Sequence, residues 1–133
     1  MEELVKAALR KYRDYVSDVK MLERCTDFYP DRRSASAALE LAKMRKTTVE
    51  AWLNLLTEDE LFVVQKHLME GLEWPRVAFA FKERWKHVFF RTERSLGTYQ
   101  ASAIRKIATF ARKHQEITIS LFSQESEQTP AAQ

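Results

Sequence analysis

The sequence predicts an all-α protein, and its composition carries that prediction. Only two of the 133 residues are glycine and three are proline, so few turn residues are present for a many-stranded sheet. The abundant Ala, Leu, Lys, Glu and Arg residues favour helix instead. With 45% hydrophobic and 31% charged residues, the chain has the balance of one globular domain that can bury a core.

The first predicted helix spans about residues 2–24. Its apolar residues recur in steps of four and three, which places them in one stripe along the helix. They are Val5, Leu9, Tyr12, Val16 and Val19. Packing within the chain is the commoner use of such a stripe. An intermolecular coiled coil is the alternative, and it would make the protein a homodimer.

A second apolar stripe follows the connector CTDFYPDRRS, which is rich in turn residues. It comprises Ala35, Ala38, Ala42, Val49, Trp52 and Leu56 and is interrupted at Arg45. We expect the two stripes to face each other in an N-terminal helical hairpin over residues 1–56. The capping-box spacing of Thr47 and Glu50 leaves open a break of the second helix near Thr47.

A clearer capping box, Thr57 with Glu60, predicts the start of the next helix, TEDELFVVQKHLME. Gly71 is expected to end this helix, because glycine enters the left-handed conformation at little steric cost. The core face of this helix includes Leu61, Val64 and Leu68.

Two short helices are predicted between the two glycines, Gly71 and Gly97. The first starts near Pro75, where the missing N–H is harmless, and extends to about Phe81. A turn through residues 82–84 follows. The second helix spans residues 85–96 and is closed by Gly97.

This second short helix separates into two halves when residues advance by about 100° each. The inward half contains Trp85, Val88, Phe89, Thr92, Ser95 and Leu96. The outward half contains Lys86, His87, Phe90, Arg91 and Arg94, together with Glu93. Lysine and arginine donate hydrogen bonds to guanine or phosphate, and a phenylalanine ring contacts a thymine methyl group. The outward half therefore predicts base contacts in the major groove.

The charge distribution also favours nucleic acid. Residues 82–113 contain nine Lys or Arg and two acidic residues, whereas residues 25–81 contain seven basic and nine acidic ones. Neutralising DNA phosphates releases counterions, which supplies most sequence-independent affinity. We expect Arg76, Lys82 and Arg84 to contact phosphates beside the helix 85–96. The alternative for the basic residues is a solvated helical face. Phe90 could instead pack against the C-terminal helix or a second subunit, and His87 could be a surface residue without a base contact.

The segment GLEWPRVAFAFKERWKHVFFRTERSL resembles region four of bacterial sigma factors and its phage derivatives. The matching residues are Gly71, Leu72, Trp74, Val77, Ala78, Val88, Arg94 and Leu96, after a helix that begins LTEDEL. The N-terminal ALRKYRDYVSDVKMLER resembles the opening helix of phage late-gene regulators of the ArpU and RinA type, which end in such a region. The resemblance implies a helix-turn-helix over residues 57–116. It also implies a transcription regulator of phage or prophage origin that binds double-stranded DNA sequence-specifically.

One more amphipathic helix is expected after Gly97, with Tyr99, Ala103, Ile104, Ile107, Phe110 and Ala111 on its apolar side. This helix also carries the cations Arg105, Lys106, Arg112 and Lys113. The favoured interpretation is that they form a solvated face, and the alternative is that they add phosphate contacts. Residues 117–133 are the C-terminal segment. Its ITISLF stretch is compatible with a short strand, a helix end or a segment that pairs with another chain. From Ser123 onward we expect a disordered tail.

Other classes of function have little support. Two glycines cannot build a glycine-rich phosphate loop, and neither Cys25 nor the three histidines have zinc-ligand spacing. We expect no enzymatic activity, no metal and no cofactor. A single cysteine fits a cytoplasmic setting, and no uncharged run is long enough for a membrane span. The alternative function is a helical interaction or assembly module, such as a phage packaging adaptor or a region-four mimic that binds RNA polymerase.

Overall fold

The computed structural model describes residues 1–25, 32–86 and 93–127. Its elements are α1 Glu2–Arg10, α2 Tyr12–Cys25, α3 Arg32–Leu53, α4 Glu58–Val63, a π-helical segment Val64–Met69, α5 Trp74–Arg84, α6 Glu93–Arg112 and α7 Gln115–Glu127. No strand occurs in these three ranges, and the predicted all-α class is confirmed. Within the same ranges, no helix combines the length and the apolarity that crossing a bilayer requires.

The predicted first helix is divided into α1 and α2 at Lys11. The Lys11 N–H donates to the carbonyls of Ala7 and Ala8, and its ψ angle of 4° departs from helical geometry. The two helices then pack against different partners: α1 contacts α6 and the π-helical segment, whereas α2 contacts α3. The prediction of one continuous helix was wrong because a single apolar stripe serves two packing surfaces.

Helices α2 and α3 lie side by side and run in opposite directions. Tyr12 at the start of α2 donates a hydrogen bond of 2.6 Å to Glu50 near the end of α3. Leu22 near the other end of α2 shares an apolar cluster with Ala42 of α3. Helix α3 is continuous across Thr47, so the break left open there does not occur.

The largest apolar cluster, which we call the main core, lies between α1, α2, α3, α6, α7 and the π-helical segment. Its buried members are Val5, Ala8, Leu9, Tyr15, Val49, Trp52, Val64, Leu68, Ala103, Ile104, Ile107, Ala108, Ala111, Leu121 and Phe122. The ring centroid of Phe122 lies 5.2 Å from that of Trp52 and 5.9 Å from that of Tyr15. The N-terminal stripe contributes Val5 and Leu9 to this core, so it packs within the chain.

The ITISLF stretch is helical and belongs to α7. Leu121 and Phe122 are buried, and the Leu121 carbonyl accepts a hydrogen bond of 2.7 Å from Arg45 Nε. These tertiary contacts outweigh the β propensity of the stretch. Helix α7 continues to Glu127, so residues 123–127 of the predicted disordered tail are helical. Residues 128–133 lie outside the described residues.

A smaller cluster, which we call the second core, lies between α4, α5 and α6. Its buried members are Val63, Val77, Phe81 and Leu96, with Phe62, Leu72, Trp74, Ala78, Trp85 and Tyr99 packed around them. The neighbouring residues Val63 and Val64 belong to different cores. The junction of α4 with the π-helical segment therefore separates the two cores, and α6 passes along both.

Candidate nucleic-acid interface

The helix that supports the candidate interface begins at the predicted capping box. Thr57 Oγ1 accepts a hydrogen bond of 3.3 Å from the Glu60 N–H, and Glu60 Oε1 accepts one of 3.0 Å from the Thr57 N–H. The same carboxylate accepts hydrogen bonds from Ser102 at 2.8 Å and from Lys106 at 2.7 Å. Because Ser102 and Lys106 belong to α6, the start of α4 is fixed to the middle of α6.

Glu60 is only 5% exposed, and its environment acts on the carboxyl pKa in two directions. Burial raises the pKa, whereas the hydrogen bonds from Lys106, the Thr57 backbone and Ser102 lower it. The net result is a pKa below the ordinary value. The buried Glu60 carboxylate therefore has a structural role, in which it holds α4 against α6. Because Lys106 is paired with this carboxylate, it is not a free cation for phosphate.

The predicted helix end at Gly71 is confirmed. Gly71 has a φ of 76°, in the left-handed region. The Leu72 N–H just beyond it donates to the Lys66 carbonyl at 3.0 Å, and the Glu70 N–H donates to the Gln65 carbonyl at 2.8 Å. These bonds satisfy terminal carbonyls and turn the chain toward α5.

Trp74 fixes the start of α5. Its ring stacks on His67 with 3.8 Å between centroids and 20° between planes. His67 Nδ1 in turn lies 2.6 Å from Gln100 Oε1, a hydrogen bond when Nδ1 carries the proton. Pro75 occupies the first turn of α5, as predicted. The start of α5 is thus tied to the π-helical segment and to α6.

Helix α5 is longer than predicted, and the turn placed at residues 82–84 is wrong. The helix continues to Arg84, since Lys82, Glu83 and Arg84 are good helix formers. Beyond it, the Trp85 ring lies 4.4 Å from Phe81, measured between centroids. This contact anchors the end of α5 in the second core.

The predicted helix over residues 85–96 does not have those bounds. Trp85 and Lys86 form a turn, residues 87–92 lie outside the described residues, and α6 begins at Glu93. Helix α6 continues through Gly97, so this glycine does not close a helix. Packing of α6 against both cores outweighs the cost of about 1 kcal/mol for a glycine in a helix.

Five of the eight predicted DNA contacts fall in the described residues, and all five side chains are exposed: Arg76, Lys82, Arg84, Lys86 and Arg94. The first three lie on α5, Lys86 lies in the turn after it, and Arg94 lies in the first turn of α6. The Arg84 guanidinium stacks over the Trp85 ring at 5.1 Å from its centroid. The other three, His87, Phe90 and Arg91, lie outside the described residues.

Phe79 is an exposed aromatic residue that the sequence analysis did not assign. It is 66% exposed, and it lies three residues after Arg76 and three before Lys82. Residues at this spacing are neighbours on a helix surface. The inward stripe of α5 leaves Phe79 on the outer side, so sorting α5 by angle would have found it. Together, Arg76, Phe79 and Lys82 define what we call the α5 face.

An acidic residue accompanies the cations near this face. Lys86 Nζ lies 3.4 Å from Glu83 Oε2, and both side chains are largely exposed. An exposed ion pair of this kind contributes less than about 1 kcal/mol. The pair is therefore weak enough for a phosphate to displace Glu83 from Lys86.

The outer face of α6 differs from the prediction at Phe110, which is 38% exposed although it was assigned to the apolar side. Ala108 is buried in its place. Arg105, Arg112 and Lys113 are exposed along the same helix and its end. The C-terminal half of α6 therefore presents a second surface in which cations and an aromatic ring lie together.

The chain was compared with known protein families, curated proteins and solved structures. No match was found. Among the described side chains, no group of three or more His, Cys, Asp or Glu is placed to hold a metal ion. The α5 face presents hydrogen-bond donors, positive charge and an aromatic ring.

Proposed function

We propose that the protein is a transcription regulator that binds double-stranded DNA sequence-specifically. The observation that best supports this function is the α5 face, with Lys86 and Arg94 as further exposed cations beyond it. Phage or prophage origin is the part of the proposal that rests on the resemblance to ArpU-type and RinA-type regulators. RNA polymerase is a further partner implied by the region-four resemblance.

The support beneath the α5 face is suited to binding with little rearrangement. The second core holds the inner side of α5, and the Trp74–His67 stack holds its start. The hydrogen bonds of Glu60 hold α4 against α6. A surface on a preformed scaffold loses little conformational entropy on binding, which favours affinity.

The proposed contacts divide into two classes. Arg76, Lys82 and Arg84 neutralise phosphates and set the position of the protein on the duplex. Base contacts come from Lys86 and Arg94, together with His87, Phe90 and Arg91. Arginine and lysine pair with guanine O6 and N7, and each good bidentate contact discriminates against the wrong base by about 1–3 kcal/mol.

The test is footprinting on DNA that flanks the gene, followed by fluorescence anisotropy with the protected duplex. Lys86→Ala/Arg94→Ala should lower the affinity for this duplex about tenfold or more and leave helicity unchanged. Arg76→Ala/Lys82→Ala should weaken binding to all duplexes alike and reduce the slope of log K against log salt by about 2.

The matched control is Arg10→Ala/Lys20→Ala, which removes the same charge from exposed positions on α1 and α2. This control should retain the affinity and most of the salt slope. Wild-type affinity in Lys86→Ala/Arg94→Ala would contradict the proposed base contacts. Absence of any protected site at low salt would contradict DNA binding itself and favour the interaction or assembly module.

A further inference from the structure

A shallow, open groove lies between the turn that follows α3 and the outer face of α6. Its volume is about 540 Å³, and its lining includes Leu55, Ser102, Arg105, Thr109, Phe110 and Lys113. Leu55 and Phe110 are exposed apolar residues within it. The groove shares no residue with the α5 face, so what it binds does not rest on the proposed DNA function.

The apolar part of this groove continues toward α7. Phe110 also lines a second, more enclosed pocket of about 260 Å³, together with Ala51, Trp52, Ile117 and Leu121. Ile117 is 59% exposed at its edge. Isolated exposed apolar residues are normal, but a connected strip marks an interaction surface. We call the strip through Leu55, Phe110 and Ile117 the apolar strip.

Cations border the apolar strip. Arg105 and Lys113 line the groove, and Arg112, Lys113 and His114 line the adjoining depression. None of the ion pairs among the described residues involves Arg105, Arg112 or Lys113. Glu116 is the one acidic residue among the described side chains that line these three pockets. The positive charge at this border is therefore available to a partner.

We infer that the apolar strip binds an acidic amphipathic helix of a partner protein. Such a helix places apolar residues at i, i+3, i+4 and i+7 into a groove, and carboxylates on its flanks reach cations on the rim. Leu55, Phe110 and Ile117 receive the apolar side. Arg105, Arg112 and Lys113 pair with the acidic flanks.

Other occupants fit this surface less well. A duplex presents phosphates and separate thymine methyl groups, but no continuous apolar side that would cover both Phe110 and Ile117. A symmetric dimer through the strip would bring like charges of two copies together, because an isologous contact places the same patch on both sides. The cations at the border and the apolar strip together therefore favour an acidic amphipathic helix.

The experiment uses three labelled peptides of about five helical turns. The first carries leucines at helical spacing with flanking glutamates, the second replaces these glutamates by lysines, and the third is a scramble of the first. Fluorescence anisotropy should show the acidic peptide binding at least about tenfold tighter than the other two. In ¹H–¹⁵N spectra of the full chain, it should shift the amides of Leu55, Thr109, Phe110, Lys113 and Ile117.

A charge exchange makes the test specific. Arg105→Glu/Lys113→Glu should lower the affinity for the acidic peptide about tenfold or more and raise that for the lysine peptide. The matched control, Lys20→Glu/Lys43→Glu, makes the same change at exposed positions on α2 and α3 and should leave both affinities unchanged. Both double variants alter exposed side chains, so both are expected to fold.

Three results would overturn the inference. The first is equal binding of the acidic and scrambled peptides. The second is a set of shifts that lies away from the groove. The third is a shift of the same amides by a random-sequence duplex or by vesicles containing phosphatidylserine, but by none of the peptides. Absence of a protected DNA site, which would contradict the proposed function, would leave these peptide outcomes unaffected, so the two proposals fail separately.

Discussion

The main core and the second core differ in size and in what they support. The main core buries the rings of Tyr15, Trp52 and Phe122 between helices from both ends of the chain. The second core buries few residues, and the rings of Trp74 and Trp85 at its edge stay partly exposed. The proposed DNA interface therefore rests on the smaller core. Since local stability follows buried apolar contact, α5 should open more readily than α1 or α7.

Truncating one buried side chain in each core should give the largest difference in behaviour between the two cores. Trp52→Ala should lower the free energy of unfolding by about 3–5 kcal/mol, measured by urea denaturation. Phe81→Ala should instead act first on α5, removing its amide hydrogen-exchange protection while amides of α1 and α7 keep theirs. Equal loss of protection in all helices after Phe81→Ala would show that the two cores form one cooperative unit.

Glu60 ties α4 to α6, because it lies at the start of α4 and accepts hydrogen bonds from Ser102 and Lys106 of α6. Glu60→Ala should cost about 1–3 kcal/mol at neutral pH, because the Thr57 N–H loses its carboxylate acceptor and the hydrogen bonds from Ser102 and Lys106 are lost. Because the folded pKa lies below the ordinary value of 4.5, this contribution is present above pH 4.5 and lost as pH falls through the folded pKa.

The control is Glu58→Ala, an exposed acid in the same first turn. Urea titrations at several pH values should show the difference between wild type and Glu60→Ala narrowing in acid, with a much smaller difference for Glu58→Ala. If the difference in free energy of unfolding between wild type and Glu60→Ala stayed constant with pH, the role assigned to the Glu60 carboxylate would be contradicted.

The two glycines should respond to alanine with opposite signs. Gly71→Ala should destabilise by about 1 kcal/mol, because its φ of 76° lies in the left-handed region, which alanine adopts only at a steric cost. Gly97→Ala should stabilise by about 0.5–1 kcal/mol, because alanine is the better helix former. Apart from the chain neighbours and the adjacent helix backbone, no atom of the described residues lies within 4 Å of a Cβ added at either position, so steric contact does not confuse the comparison. Thermal unfolding midpoints measure both changes, and a loss of stability in Gly97→Ala would contradict a continuous α6.

The smallest effect on stability is expected at Phe79. Phe79→Ser should change the free energy of unfolding by less than about 0.5 kcal/mol, because the side chain is mostly in solvent. The affinity of the Phe79→Ser variant for the footprinted duplex should nevertheless fall. Urea denaturation and anisotropy on the same sample separate the two effects. A large loss of stability would place Phe79 in the second core instead.

Predictions that depended on neighbouring residues in the sequence agreed best with the structure. The capping box of Thr57 and Glu60 and the helix end at Gly71 are interactions within a few residues, and both are confirmed. The candidate site could be predicted only in part. The cations of α5 are exposed as expected, but Phe79 was overlooked and the bounds of the helix 85–96 were wrong. Gly97 does not end a helix, because the free-energy cost of a glycine within α6 is small compared with the stabilisation that the packing of α6 provides.

The sequence by itself determined that this chain is helical, where its apolar stripes lie and how α4 begins and ends. Those properties follow from side-chain and backbone chemistry within about one helical turn. Only the tertiary structure decided that the first stripe divides at Lys11, that ITISLF packs as helix and that Glu60 bonds Lys106, 46 residues away. Each depends on which distant surface a segment meets, and burial against that surface outweighs local propensity.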